Sequence, residues 1–206
     1  VKQAARVISL IINPFIMPLL GIIFVFKIHA IYRIVYPSDF GNILILLACI
    51  LTLIFPFISI YVLYRSGLVA DLSLSNRKDR LLPSAITVAY YVGFYYFIHR
   101  IEGIDTPILA GFLGGCVALA VSILITLKWK ISLHAHGISS LAGMVIGVTQ
   151  ITFVSHHWLN IGLLIAIGLV GTSRLILHKH SALQVYAGAM LGFLGPYLFV
   201  INEWVL

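Results

Sequence analysis

Gly171-Thr172-Ser173-Arg174-Leu175-Ile176-Leu177-His178-Lys179-His180 is a polar knot set between two oily stretches. No Asp, Glu, Lys or Arg occurs between Lys130 and Arg174, and none between Lys179 and Glu203. Crossing the hydrocarbon takes about 20 mainly apolar residues, and runs of that length flank the knot. They are continuous rather than alternating, so they predict helices and not barrel strands. An Arg, a hydroxyl and imidazoles are costly to hold at the edge of lipid. Ionisable groups placed there mark a functional site by default.

The rest of the chain has the same character. Its 206 residues are 61% hydrophobic and 9% charged, against about 25% charged in a soluble domain. The pattern predicts an all-α polytopic transmembrane helix bundle of six to seven spans, near 5–26, 42–64, 82–99, 107–127, 137–154, 158–177 and 181–201. The third and fifth are short, and one of them being re-entrant would give six. The first stretch lacks the small-residue cleavage site of a leader and is expected to be a span, although the chain starts at Val1 without Met. Residues 1–206 are expected to be a single integral membrane domain. Cys49 and Cys116 lie in apolar runs and read as packing residues, not as a disulfide or a metal motif. Gly143 with Gly147, and Gly188 with Gly192, have the spacing that lets membrane helices approach closely.

The net charge is +7, but where the charges lie matters more. Basic residues concentrate in three islands: Arg65 to Arg80, Lys128 to Lys130, and Arg174 to Lys179. A diffuse basic surface would suit nucleic acid or anionic headgroups, whereas discrete islands suit a focused anion site. No nucleic-acid partner is expected. Two crossings separate each island from the next, so all three return to the same membrane face. Meeting there, they offer Arg77, Lys78, Arg80 and Arg174 as anion ligands, Ser132 as a hydrogen-bond donor, and several imidazoles. Arg forks pair with phosphate oxygens, and histidine serves as nucleophile or as general acid and base. Asp71 and Asp79 are the carboxylates near the islands, too few for a two-metal hydrolase. Covalent histidine chemistry without a metal or cofactor fits better.

These residues resemble the type-2 phosphatidic acid phosphatase superfamily, which includes the vanadium haloperoxidases, in its membrane branch. The family's third motif is Ser-Arg, five residues, His, three residues, Asp. Ser173-Arg174, His180 and Gln184 reproduce that spacing, with Gln184 where Asp is usual. The second motif, Pro-Ser-Gly-His, is matched loosely by Ile131-Ser132-Leu133-His134. The first, Lys, six residues, Arg-Pro, is echoed by Arg77-Lys78-Asp79-Arg80-Leu81-Leu82-Pro83, with Ser73 where the Lys would stand. The resemblance covers about residues 76–195.

It implies that His180 attacks phosphorus to form a phosphohistidine and that His134 protonates the leaving alkoxide, then activates water. Arg174 and Arg80 would hold the phosphoryl oxygens, Arg77 or Lys78 would replace the missing Lys, and Ser132 and Ser173 would donate to phosphate. Gln184 would orient His180 without stabilising its positive charge. The implied substrate is a lipid phosphomonoester or pyrophosphate, drawn from the surrounding membrane lipids. The implied location is a bacterial cytoplasmic membrane with the site on its outer side. The positive-inside rule points the other way, because the motif-side loops hold more Lys and Arg than those carrying Lys27, Arg33 and Arg100. A lipid-phosphate transporter or binding protein on the same fold, and a plain membrane scaffold, are the competing readings. His29, His99, His156 and His157 read as membrane-edge residues, and His136 and His178 as neighbours of the motifs.

Overall fold

The computed structural model describes every residue except Ser73 and Ser75, so the position of the missing first-motif Lys lies outside the described residues. The chain is helical, with no strand among the described residues. Six stretches are long and apolar enough to cross a membrane: Lys2–Ile28, Ser38–Arg65, Lys78–His99, Thr106–Thr126, His157–Ile176 and Ala182–Ile201.

Proline sets the breaks in the first two. Helix α1 (Lys2–Ile11) stops before Asn13, which is extended, as the residue preceding a proline prefers. Asn13 caps a short turn through Phe15 N–H at 3.0 Å, and α2 (Met17–Ile23) resumes the crossing. The expected uninterrupted span 5–26 is therefore two helices with a joint at Asn13-Pro14. After α2, a π-helical Phe24–Ile28 and a short α3 (Ala30–Val35) lead into α4 (Ser38–Ala48). A second π-helical turn, Cys49–Ile54, joins α4 to α5 (Phe55–Arg65), in which Pro56 lacks the N–H of a regular first turn.

The remaining helices are α6 (Leu81–His99), α7 (Thr106–Thr126), α8 (Leu133–Thr152), α9 (His157–Ile176) and α10 (Ala182–Ile201). The third expected span is the unbroken α6, one of the six apolar stretches, while the fifth is α8, also unbroken but not among those six. Helix α8 begins four residues earlier than expected, so His134 and His136 ride on its first turns rather than in a loop. It is also the centre of the bundle: 13 of its 20 residues are buried, against 5 of 20 in the outer α9.

Glycine sets the closest contact. A Cβ on Gly192 would collide with the His136 carbonyl, and one on Gly188 with the Ser132 carbonyl. These bare backbones let α10 lie against the start of α8. That approach brings the second and third motifs within hydrogen-bonding distance of each other.

Candidate functional site

Ser132 is fully buried as the N-cap of α8; its Oγ accepts the Ala135 N–H at 3.4 Å. Its own N–H donates to the Gln184 carbonyl at 3.2 Å, which ties the second motif to the third. The seryl hydroxyl expected to hold phosphate thus positions His134 two residues further on and is not part of the cavity wall.

The second tie is at the start of α10. Ser181 caps that helix, and Gln184 Oε1 accepts the Ser181 N–H at 3.1 Å, closing a capping box. The same oxygen lies 3.2 Å from His180 Nδ1. A carbonyl oxygen can only accept, so Nδ1 carries the proton and Nε2 is left bare. The one-turn spacing of residues 180 and 184 therefore does what the sequence suggested, through an amide instead of a carboxylate.

Cations surround this imidazole. Arg80, Arg174 and Lys130 all act on His180, and together with its burial they hold its pKa far below the ordinary value, at about 3; burial is the largest cause, and the Gln184 hydrogen bond works weakly the other way. Lys130 is likewise lowered, by burial first and then by Arg80, Lys179 and Arg174. The three islands do converge on one end of the bundle.

The first island divides its labour. Arg80 is buried, with Nε donating to the Leu74 carbonyl at 2.7 Å and Asp71 within electrostatic reach. Arg77 instead turns to the Thr126 and Leu127 carbonyls, where a cation suits the C-terminus of α7. Lys78 is exposed on the turn. Asp79 accepts from Asn76 Nδ2 and Ala70 N–H and so organises the loop.

Ser173 is buried, donating to the Val170 carbonyl at 2.8 Å and lying 3.0 Å from Ser9 Oγ. Arg174 Nη1 donates to that same Ser9 oxygen at 3.3 Å, while its Nε is buried without a hydrogen-bond partner among the described residues. The Ser9 backbone also acts on the His134 ring. Helix α1 thus closes the site, which sequence reasoning missed. A signal existed: Arg6, Ser9 and Asn13 are spaced three and four apart, a polar stripe along one face of an apolar helix.

Arg80, Arg174, His134 and Lys179 line the mouth of a cavity of about 750 Å³, and Arg6, Ser9 and Asn13 also contribute to its wall. His136 lines it too, its Nδ1 lying 3.1 Å from Ser122 Oγ. His180 is not among the residues that line the cavity, whereas its neighbour Lys179 is. An unpaired buried guanidinium donor costs about 1–3 kcal/mol or more, and a cluster of like charges adds to that cost. An anion with several oxygens would relieve both. No family model, curated protein or solved structure matches the chain.

Proposed function

We propose that the chain is an integral membrane phosphatase acting on lipid phosphates through a covalent phosphohistidine. The observation that carries this reading is His180: Nδ1–H is anchored on Gln184, Nε2 is bare, and Arg80, Arg174 and Lys130 surround the ring. The imidazole is neutral at physiological pH and retains the lone pair a nucleophile needs. A phosphomonoester enters with its oxygens on Arg80 and Arg174, whose planar forks match them.

His180 Nε2 forms the N–P bond as the P–O ester bond breaks. His134, which lines the same cavity, is neutral before substrate enters; the proton carried in on the phosphomonoester monoanion passes to it, and the resulting imidazolium gives that proton to the departing alkoxide. A water then attacks phosphorus, His134 takes its proton, and the N–P bond breaks to release inorganic phosphate. The positive charge that stabilises the equatorial oxygens comes from the two arginines. Gln184 orients the ring but offers no negative charge to the phosphohistidine. Where an amide replaces the orienting Asp of a protease triad the loss is about 10⁴ in turnover, so turnover here is slow.

The same substitution favours one other reading, a lipid-phosphate binding or transport protein. Phosphate release from a panel of lipid phosphates by purified protein separates the two. Release by the wild type and none by His180→Ala supports hydrolysis. Equal release by both would falsify the nucleophile assignment, and binding without release by the wild type supports the transporter.

A further inference from the structure

The cavity that opens at Arg80, Arg174 and His134 does not end at headgroup depth. It continues between α7 and α8 past Gly115 to Gly111 and Met144. Ten residues of α8 separate His134 from Met144, about 15 Å of helix and half of the roughly 30 Å hydrocarbon layer. Phe57, Ile60, Phe112, Leu119 and Leu141 form much of its deeper wall. Two of the polar groups there are turned onto backbone, Thr87 Oγ1 donating to the Pro83 carbonyl at 2.8 Å and Tyr91 Oη to the Thr52 carbonyl at 3.4 Å, while Ser140 also lines the wall. The lower cavity presents hydrocarbon to whatever fills it.

Its size limits the occupant. At about 30 Å³ per water-sized group, a cavity of about 750 Å³ holds roughly 25 non-hydrogen atoms. With the five atoms of a phosphoryl group at the mouth, the remainder accommodates one chain of roughly 20 carbons and not a second of that length. We infer that the substrate class is a single-chain phosphomonoester, its one tail held inside the bundle and its length gauged at Gly115. This rests on the phosphate-site reading above. A linear acyl or alkyl chain and a short isoprenoid share the required chemistry.

Gly115 is the gauge because it has room. A Cβ there would lie 3.5 Å from Ser140 Oγ and 3.9 Å from the Pro196 ring, ordinary contact distances. At Gly111 a Cβ would press on Met144 at 2.8 Å, and at Gly114 on the Gly195 carbonyl at 2.6 Å. A side chain at position 115 enters cavity space without forcing α7 away from α10.

The test uses the full chain in nanodiscs and measures calorimetric binding of n-alkylphosphonates of roughly eight to twenty-four carbons, with partition into protein-free nanodiscs subtracted. A C–P bond is not hydrolysed, so binding is read apart from turnover. Affinity, referred to free aqueous ligand, is expected to rise about fourfold per added methylene up to roughly twenty carbons, then level off. Gly115→Leu should move the break about four carbons shorter and Gly115→Ala about one, as their added side-chain atoms fill the space. The alanine variant carries the test if the leucine variant does not fold.

A rise with no break, a break unmoved in the Gly115 variants, or equal binding of a two-chain phosphonate overturns the inference. Farnesyl phosphonate binding tighter than a linear chain of equal carbon number assigns an isoprenoid source; the reverse assigns an alkyl or acyl one. A break without phosphate release from the matching phosphate overturns the hydrolytic reading and leaves this one standing. Release that ignores chain length does the opposite.

Discussion

At the start of α8 the bundle buries cations, and at its end it buries neutral rings. His29, fully buried, has Nε2 at 2.9 Å from Thr152 Oγ1, whose own proton goes to the Val148 carbonyl. The His29 ring therefore donates from Nε2. Tyr32, His156 and Phe24 pack around it with centroids 4.7, 5.4 and 5.6 Å away. Burial, and then His156, lower its pKa to about 4, while burial raises the Tyr32 phenol. Both groups are held in the uncharged forms that packing prefers. At the other end the guanidinium groups cannot discharge, and the arrangement leaves the Nε donor of Arg174 unspent. Two histidine-rich clusters in one helical bundle thus have opposite chemical meanings. The aromatic one leaves His29 Nδ1 and His156 Nε2 unpartnered on rings that carry no charge, and the basic one leaves Arg174 Nε unpartnered on a group that keeps its charge, which in the proposed reading an anion completes.

The largest effect that could break this contrast is on turnover. His180→Ala should lower phosphate release by more than about 10³-fold, whereas His29→Ala should leave it within about twofold and lower the thermal midpoint instead. Comparable losses of turnover from both would mean that the two ends do not differ in kind. Next comes Arg174→Met. Losing a fork on the transition-state oxygens should cost about 10²–10³ in kcat/KM and abolish the thermal shift given by vanadate. The ligand-free protein should nevertheless be as stable or more so, because an uncompensated buried charge is gone. A destabilised variant that still binds vanadate would count against the anion site.

Gln184→Asp probes the amide directly. Restoring a negative charge beside His180 Nδ1 should raise turnover at least about tenfold, and a fall in turnover would show that Gln184 serves only the capping box. The smallest effect is on stability against pH. His180 and His29 have folded-state pKa values lowered from 6.5 to about 3 and about 4, so the unfolded chain binds their protons more tightly. Stability is then fully present above pH 6.5 and declines as the pH falls from 6.5 towards 4. Bound vanadate should flatten the His180 share of that decline, and His29→Gln should remove the other share. Thermal midpoints measured from pH 4 to pH 7 with and without vanadate would separate the two.

The helices were legible because lipid tolerates only long, internally bonded apolar segments: six of the seven expected stretches lie within a few residues of helices long and apolar enough to cross a membrane, and the other lies within a few residues of the more polar α8. The Ser-Arg…His spacing was legible for a similar reason: residues 180 and 184 lie one turn apart whatever surrounds them. Composition therefore determined a membrane bundle, parity determined that three basic islands share a face, and local spacing determined the pairing of His180 with Gln184. The division of labour among Arg77, Lys78 and Arg80 could not be read, since it depends on where the C-terminus of α7 ends. Ser9 was hidden as well, because it enters the site only through the Pro14 joint and a contact across 164 positions of chain. The cavity and the space beside Gly115 likewise exist only where helices distant in sequence leave room between them. Those features are long-range packing outcomes, and a pattern along one strand of chain carries no record of the volume that folding leaves unfilled.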